Sequence, residues 1–311
     1  PAMEVLPVRD TSISDTSIIF AHNAFNGPTT GAYMPNQSLS LTELLDLGVR
    51  GLELDIYDTQ GKLRLCHSIC TPDSLEFLDY NSTFDDALRE VQAWLTKNPS
   101  ELVMLKLQDH NIDVGAMDKV ISQCLNVGSV FTRENFGDRT KWPSINELTG
   151  LGKQLVLLPQ CAQGSQFMLS ANAGGEFRGY SAAVSQFRED SFEMPAKTAK
   201  ILTESYEDQT LIAKVADAAR HIPFIRYWIP DTSGETTKAE ILKLKAIGVN
   251  NIGLDHISKN DSRLIEVTTL ADISKNSYFY IPAAVIVGIT MGKYNKKIAE
   301  LNLASRAFCK H

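Results

Sequence analysis

The sequence lacks an apolar run long enough to cross a membrane as a helix. The longest late one, YIPAAVIVGITMG from Tyr280 to Gly292, falls short of the ~20 residues required and reads as a buried helix or strand. It also lacks basic excess: 30 Lys and Arg against 37 Asp and Glu leave a formal net charge of −7. That balance excludes a field that gathers nucleic acid and leaves any membrane contact to local features. The five cysteines, Cys66, Cys70, Cys124, Cys161 and Cys309, form no C-x-x-C metal pair, and their odd count leaves at least one thiol unpaired within the chain. Cys66 and Cys70 are close enough to bridge a turn, or are free buried thiols. No G-x-G-x-x-G or Walker-type loop follows any strand, so nothing supports a nucleotide-binding open sheet. No low-complexity linker or repeat divides the chain.

What is present suits a large core. The 311 residues are 43% hydrophobic and 22% charged, and length alone leaves open one α/β barrel or two ordinary domains. The opening PAMEVLPVRD has no basic n-region and no apolar h-region, and reads as an expression remnant joined to a mature sequence. Sequons at Asn36, Asn81 and Asn260 suit a secreted protein, and an extracellular location is the expectation. Nothing speaks to oligomeric state.

Strand-like runs alternate with helix-like ones, the pattern of parallel β/α units. SIIFAHN (residues 17–23) is followed by a helix, SLSLTELLDLG, capped by Ser40 or Ser38 with Glu43 in its first turn. VRGLELDIYD and LRLCHS follow, joined by the turn TQGK. TFDDALREVQAWLTKNPS carries Phe84, Leu88, Val91 and Leu95 at the spacing of one buried stripe, with Thr83 as its cap. Then come ELVMLKLQD, QLVLLPQ, YSAAVSQF, a helical stretch over residues 211–219, PFIRYWI, the helix TTKAEILKLKAIG and VNNIGLDHI. Roughly eight strands with helices between most of them, in a chain of this length, predict a single closed (β/α)8 barrel, of the TIM type, over residues 1–311. Residues 258–311 are expected to be a C-terminal extension packed on it. A doubly wound open sheet is the runner-up.

In such barrels the chemistry sits where strands end. Here His22 and Asn23 close the first strand, Glu53 and Asp55 the second, His67 the third, Lys106 and Gln108 the fourth, and Asp255 the last. Singly, each has a plain structural reading: Glu53 and Asp55 as partners for Lys106 or Arg50, Lys106 and Gln108 as a solvated barrel end. Jointly they point to a site, because burying so many polar groups is costly. Two histidines among carboxylates suit paired general acid and base catalysis. Asn with carboxylate oxygens suits a hard cation such as calcium, and zinc lacks its usual ligands.

The segments AHNAF, NQSLSLTELLDLGVRGLELDIYD, LRLCHS and AWLTKNPSELVMLKLQD resemble the X domain of phosphatidylinositol-specific phospholipase C and the stand-alone phosphodiesterases of that superfamily. The likeness runs from Ile18 to about Asp109 and fades beyond Gln160, apart from NNIGLDHI. It implies a distorted β/α barrel, intramolecular attack of an inositol hydroxyl on phosphorus, and a phospholipid or related phosphodiester met at a membrane surface. By its motifs, His22 and His67 match the two catalytic histidines, and Asp255 matches an aspartate that orients the first. Asn23, Glu53, Asp55 and Gln108 match a calcium site, with magnesium or no metal as alternatives. Gln108 departs from the family's glutamate and removes one negative charge from that site. Lys106, on the same face, can partly take the cation's role in a metal-free site. Arg226 and Tyr227 are the candidates for headgroup binding. A sphingomyelinase D or glycerophosphodiesterase-like enzyme, and a non-catalytic headgroup-binding protein, are the competing readings.

Overall fold

A computed structural model of the protein describes residues 9–27, 35–66, 82–110, 112–139, 141–160, 162, 164–169, 224, 226–229, 250–259, 261 and 268–269. Its centre is a run of parallel strands in the order β5-β4-β2-β1-β7-β6. These are β1 (Thr16–Ala21), β2 (Gly51–Thr59), β4 (Val103–Gln108), β5 (Leu155–Pro159), β6 (Arg226–Ile229) and β7 (Asn251–Leu254). The remaining two lie off that path: β3 (Lys62–Leu65) pairs antiparallel with the end of β2, and β8 (Thr268–Thr269) pairs antiparallel with the start of β1.

One expectation changes here. LRLCHS, counted among the strands of a β/α series, is instead the return arm of a hairpin, because Gln60 and Gly61 both adopt positive φ (58° and 80°) and reverse the chain at once. The next parallel neighbour of β2 is therefore β4, with Glu53 beside Lys106 and Asp55 beside Gln108. The strand expected at YSAAVSQF, the helices expected over residues 211–219 and at TTKAEILKLKAIG, and the tail beyond residue 269 lie outside the described residues.

The helices start where their caps dictate. Ser40 and Glu43 form a reciprocal capping box on α1 (Leu41–Asp46), and the Thr83 hydroxyl accepts from Asp86 N at the start of α2 (Phe84–Lys97). The α2 stripe is buried as its spacing predicts: Phe84, Leu88, Val91 and Leu95 are all 0% exposed, and each such side chain contributes about 1.5–3 kcal/mol. Residues of the opposite strand parity, Ile19, Ala21, Leu52, Leu54, Ile56, Val103, Leu105 and Leu107, meet these helices in one apolar cluster.

The inner parity forms a second cluster. Ile18, Phe20, Met104, Val156 and Leu158 line the inside of the sheet, and Phe131, Phe136, Trp142 and Phe224 plug it. Trp142 bridges Phe136 and Phe224 edge-on at 5.2 and 4.8 Å between ring centroids. Gly51 is required by this packing: the Phe20 ring lies where a Cβ would stand, 2.3 Å away. At the N-terminal ends of the strands Arg50 bonds Glu101 Oε2 at 2.9 Å and lies 4.9 Å over the Trp94 ring. Arg50 is thus committed away from Glu53 and Asp55.

Cys66 is disulfide-bonded, with its partner outside the described residues, and Cys124 is a buried free thiol. The sequon asparagine Asn36 is used internally, its amide donating to Asp255; those at Asn81 and Asn260 fall outside the described residues. No helix among the described residues is long and apolar enough to cross a membrane.

The Gly51 contact is testable. Gly51→Ala forces a methyl group against a fully buried ring and is expected to cost about 1–3 kcal/mol in urea unfolding, part of which Phe20→Leu restores in the double variant. An unchanged midpoint for Gly51→Ala contradicts the packing.

Candidate active site

The parity that buries Ile18 and Phe20 inside continues past the end of β1 to His22, and the parity of Asn251 and Gly253 continues to Asp255. The register pairs Ile18 with Asn251 and Phe20 with Gly253, so one more step sets His22 beside Asp255. Their side chains meet: His22 Nδ1 lies 2.8 Å from Asp255 Oδ1, with both residues buried. A carboxylate oxygen accepts, so this contact is written with Nδ1–H donating to Asp255 Oδ1.

The same layer extends across the sheet. The Ala24 amide donates to Glu53 O at 2.9 Å, tying the turn after β1 to β2, and Glu53 is in register with Lys106 on β4. Glu53 and Lys106 are each 1% exposed. One step nearer the strand ends, Asp55 stands beside Gln108. Above them Tyr57 stacks on His110, with ring centroids 4.1 Å apart and 17° between planes.

The sequence-named residues therefore gather, with three exceptions. His67 lies outside the described residues; its predecessor Cys66 donates its amide to Asp55 O at 3.2 Å. Arg226 and Tyr227 open β6 in register with Asn251 and Ile252, and their side chains lie outside what is described. Asn23 is fully buried, in a left-handed conformation with φ 43°, and its amide donates to Asn36 Oδ1 at 3.2 Å. Asp109 faces away, its Oδ1 accepting from Gln160 N at 2.8 Å to lock β4 to β5.

Sequence reasoning gave three residues of this region no role in the site. Asn36 bonds Asp255 directly, and Gln37 donates to the carbonyls of His22 and Leu254 at 2.6 and 2.8 Å. His110 follows the inner parity of Met104, Lys106 and Gln108, which was its one visible signal. Its φ of 25°, with 43° at Asn23 and 53° at His256, means that β1, β4 and β7 are each followed within two residues by a left-handed, non-glycine residue. Such conformations cost energy and gather at functional sites.

The family model described as PI-PLC X 1 matches residues 9–192, more than half of the chain. The chain belongs to that family. A PI-PLC X domain-containing protein 1 of the fungus Arthroderma benhamiae is 28% identical over 155 residues, 48% of this chain and 47% of that protein. An uncharacterized secreted protein of the same fungus is 28% identical over 149 residues, 47% of this chain and 32% of its own. The chain thus spans less than half the length of these relatives. Among solved structures, the phosphatidylinositol-specific phospholipase C of Listeria monocytogenes superposes with a TM-score of 0.54 at 17% identity, covering 88% of this chain and 97% of that one. A calcium-dependent phosphoinositol-specific phospholipase C from a Pseudomonas species gives 0.51 at 15% identity, covering 84% and 96%. The fold is the β/α barrel of these phospholipases.

The residues here fit a calcium ion poorly. Calcium is held by six to eight oxygens with carboxylates prominent, whereas this region offers two carboxylates, Glu53 and Asp55, two neutral amides, Asn23 and Gln108, and a buried Lys106 in register with Glu53. A lysine ammonium on the inner face repels a divalent ion and supplies positive charge of its own.

Lys106 also acts on its neighbours. Burial, first, and the Lys106 charge, second, hold His110 below the ordinary histidine value of 6.5. The folded chain then binds fewer protons at His110 than the unfolded chain, so this residue makes stability fall as pH drops below 6.5 toward the folded value. In Lys106→Met the His110 midpoint, followed by imidazole NMR, is expected to rise while remaining below 6.5 because burial persists. A midpoint that does not rise contradicts the proximity of the charge.

Proposed function

We propose that this member of the PI-PLC X family is a phosphodiesterase of the phospholipase C type, acting on phosphatidylinositol or a closely related phospholipid without a metal ion. The observation that carries the reading is the His22–Asp255 bond at 2.8 Å in one layer with Glu53 and Lys106.

The chemistry follows from that layer. With Nδ1–H given to Asp255, His22 Nε2 takes the proton of the headgroup hydroxyl next to the phosphodiester as that oxygen bonds to phosphorus. His67 donates a proton to the diacylglycerol oxygen as its bond to phosphorus breaks, leaving a cyclic phosphate that water can open. Charge growing on the phosphoryl oxygens is balanced by the ammonium of Lys106, which stands in register with Glu53 on the neighbouring strand. Lys106 works best in a site closed to water, and the aromatic plug beneath it excludes water from below. Cys66 N, held to Asp55 O, supports placing His67 at this mouth. Arg226 and Tyr227 remain the candidates for headgroup contact.

The substrate class implies transient work at a membrane surface. A bridged Cys66 supports an oxidising, extracellular setting, as does the relative named as a secreted protein.

Turnover on phosphatidylinositol vesicles, with products read by phosphorus NMR, tests the reading. His22→Ala and His67→Ala are each expected to lower kcat by about 10²–10⁴-fold, and the wild type is expected to release a cyclic phosphate first. Full activity in either variant overturns the acid–base assignment. A free headgroup alcohol or glycerol phosphate as first product points to the sphingomyelinase D or glycerophosphodiesterase class, and vesicle binding without turnover points to a headgroup-binding protein.

A further inference from the structure

The three residues before Leu39 and the helix-capping Ser40 cross from β1 to the end of β7. Gln37, fully buried, donates through one amide nitrogen to the carbonyls of His22 and Leu254, and its Oε1 accepts from Ile257 N at 3.2 Å. Ser38 Oγ donates to Ile257 O at 2.6 Å. These two side chains bind backbone and hold the two strand ends together. Asn36 differs, because its amide reaches the reactive pair itself. Nδ2 donates to Asp255 Oδ1 at 3.2 Å, the same oxygen that lies 2.8 Å from His22 Nδ1. Its own Oδ1 accepts from Asn26 Nδ2 at 2.6 Å and from Asn23 Nδ2 at 3.2 Å.

That arrangement fixes the amide's orientation. Turned over, Asn36 would set its NH2 group against two other NH2 groups and its oxygen against a carboxylate, losing every one of these bonds. The backbone is fixed as well, by His256 N donating to Asn36 O at 2.7 Å and Gln37 N to Asn26 O at 3.0 Å. Asn23 and His256, the residues after His22 and Asp255, both have positive φ, so the chain turns aside directly after each member of the pair and these bonds hold it there.

We propose that Asn36 is a positioning residue: it fixes the rotation of the Asp255 carboxylate so that Oδ1 faces His22 Nδ1. The carboxylate in turn fixes the tautomer and tilt of the imidazole, which must present Nε2 to the attacking hydroxyl. This assignment rests on the phosphodiesterase reading above for its effect on turnover, but its structural core can be read without substrate.

Two variants and one spectrum test it. Asn36→Ala removes the amide, and Asn36→Asp keeps its volume but replaces the donor with an acceptor. Each is expected to leave KM within about twofold and lower kcat by about 10- to 100-fold, the usual effect of removing a group that orients a reactive side chain. In nitrogen NMR at fixed alkaline pH, wild-type His22 is expected to show one neutral tautomer, with Nδ1 protonated and Nε2 bare, and both variants a mixture of tautomers. Wild-type kcat together with a wild-type tautomer pattern in either folded variant overturns the proposal. So does a wild-type His22 protonated at Nε2, a result that needs no variant to fold. The phosphodiesterase reading fails separately, if His22→Ala keeps full turnover.

Discussion

Side chains alternate along a strand, and in a parallel sheet the register carries that alternation from one strand to the next. Everything else in this protein depends on that constraint. One parity sends Leu52, Leu54 and Ile56 outward to the helices, and the other sends Gly51, Glu53 and Asp55 inward. Because Phe20 pairs with Gly51 and Gly253, and Glu53 with Lys106, the inner parity stacks into layers. An apolar floor lies below, and above it come the layer of His22, Glu53, Lys106 and Asp255, then Asp55 and Gln108. A shift of one residue on any of these strands would move its apolar set inward and its reactive set out to the helices.

Such a layer is costly to bury, and the surroundings offset the cost by pairing and by fixing geometry. Opposite charges stand on adjacent strands at Glu53 and Lys106, the imidazole of His22 is bonded to Asp255, and the polar amides of Asn23, Asn26, Asn36 and Gln37 find partners in one another and in the strand ends. The far end of the sheet holds ordinary stabilising contacts, among them Arg50 with Glu101 and with Trp94. Stability and chemistry thus occupy opposite ends of the same strands, as barrel architecture favours.

Much of this was legible in the sequence. Alternation in GLELDIYD and VMLKLQ identified both faces, the helix caps at Ser40 and Thr83 stood where the hydroxyls were, and strand-end residues His22, Glu53, Asp55, Lys106 and Asp255 came together as their positions implied. What escaped was set by pairing between distant segments. The hairpin arm β3 has the composition of any strand, and its antiparallel partner is decided by the left-handed turn at Gln60 and Gly61. Asn36 looks like a loop sequon until Asp255, 219 residues away, arrives beside it. The sequence left open a calcium site at Asn23, Glu53, Asp55 and Gln108 or a metal-free one assisted by Lys106, and only the register shows that Lys106 stands beside Glu53.

That ammonium is the point on which the account turns. If Lys106 supplies the positive charge of the site, turnover of phosphatidylinositol by the wild-type protein, measured after exhaustive chelation and again with added calcium, is the same in both within about twofold. Activity abolished by the chelator and restored by calcium contradicts the account.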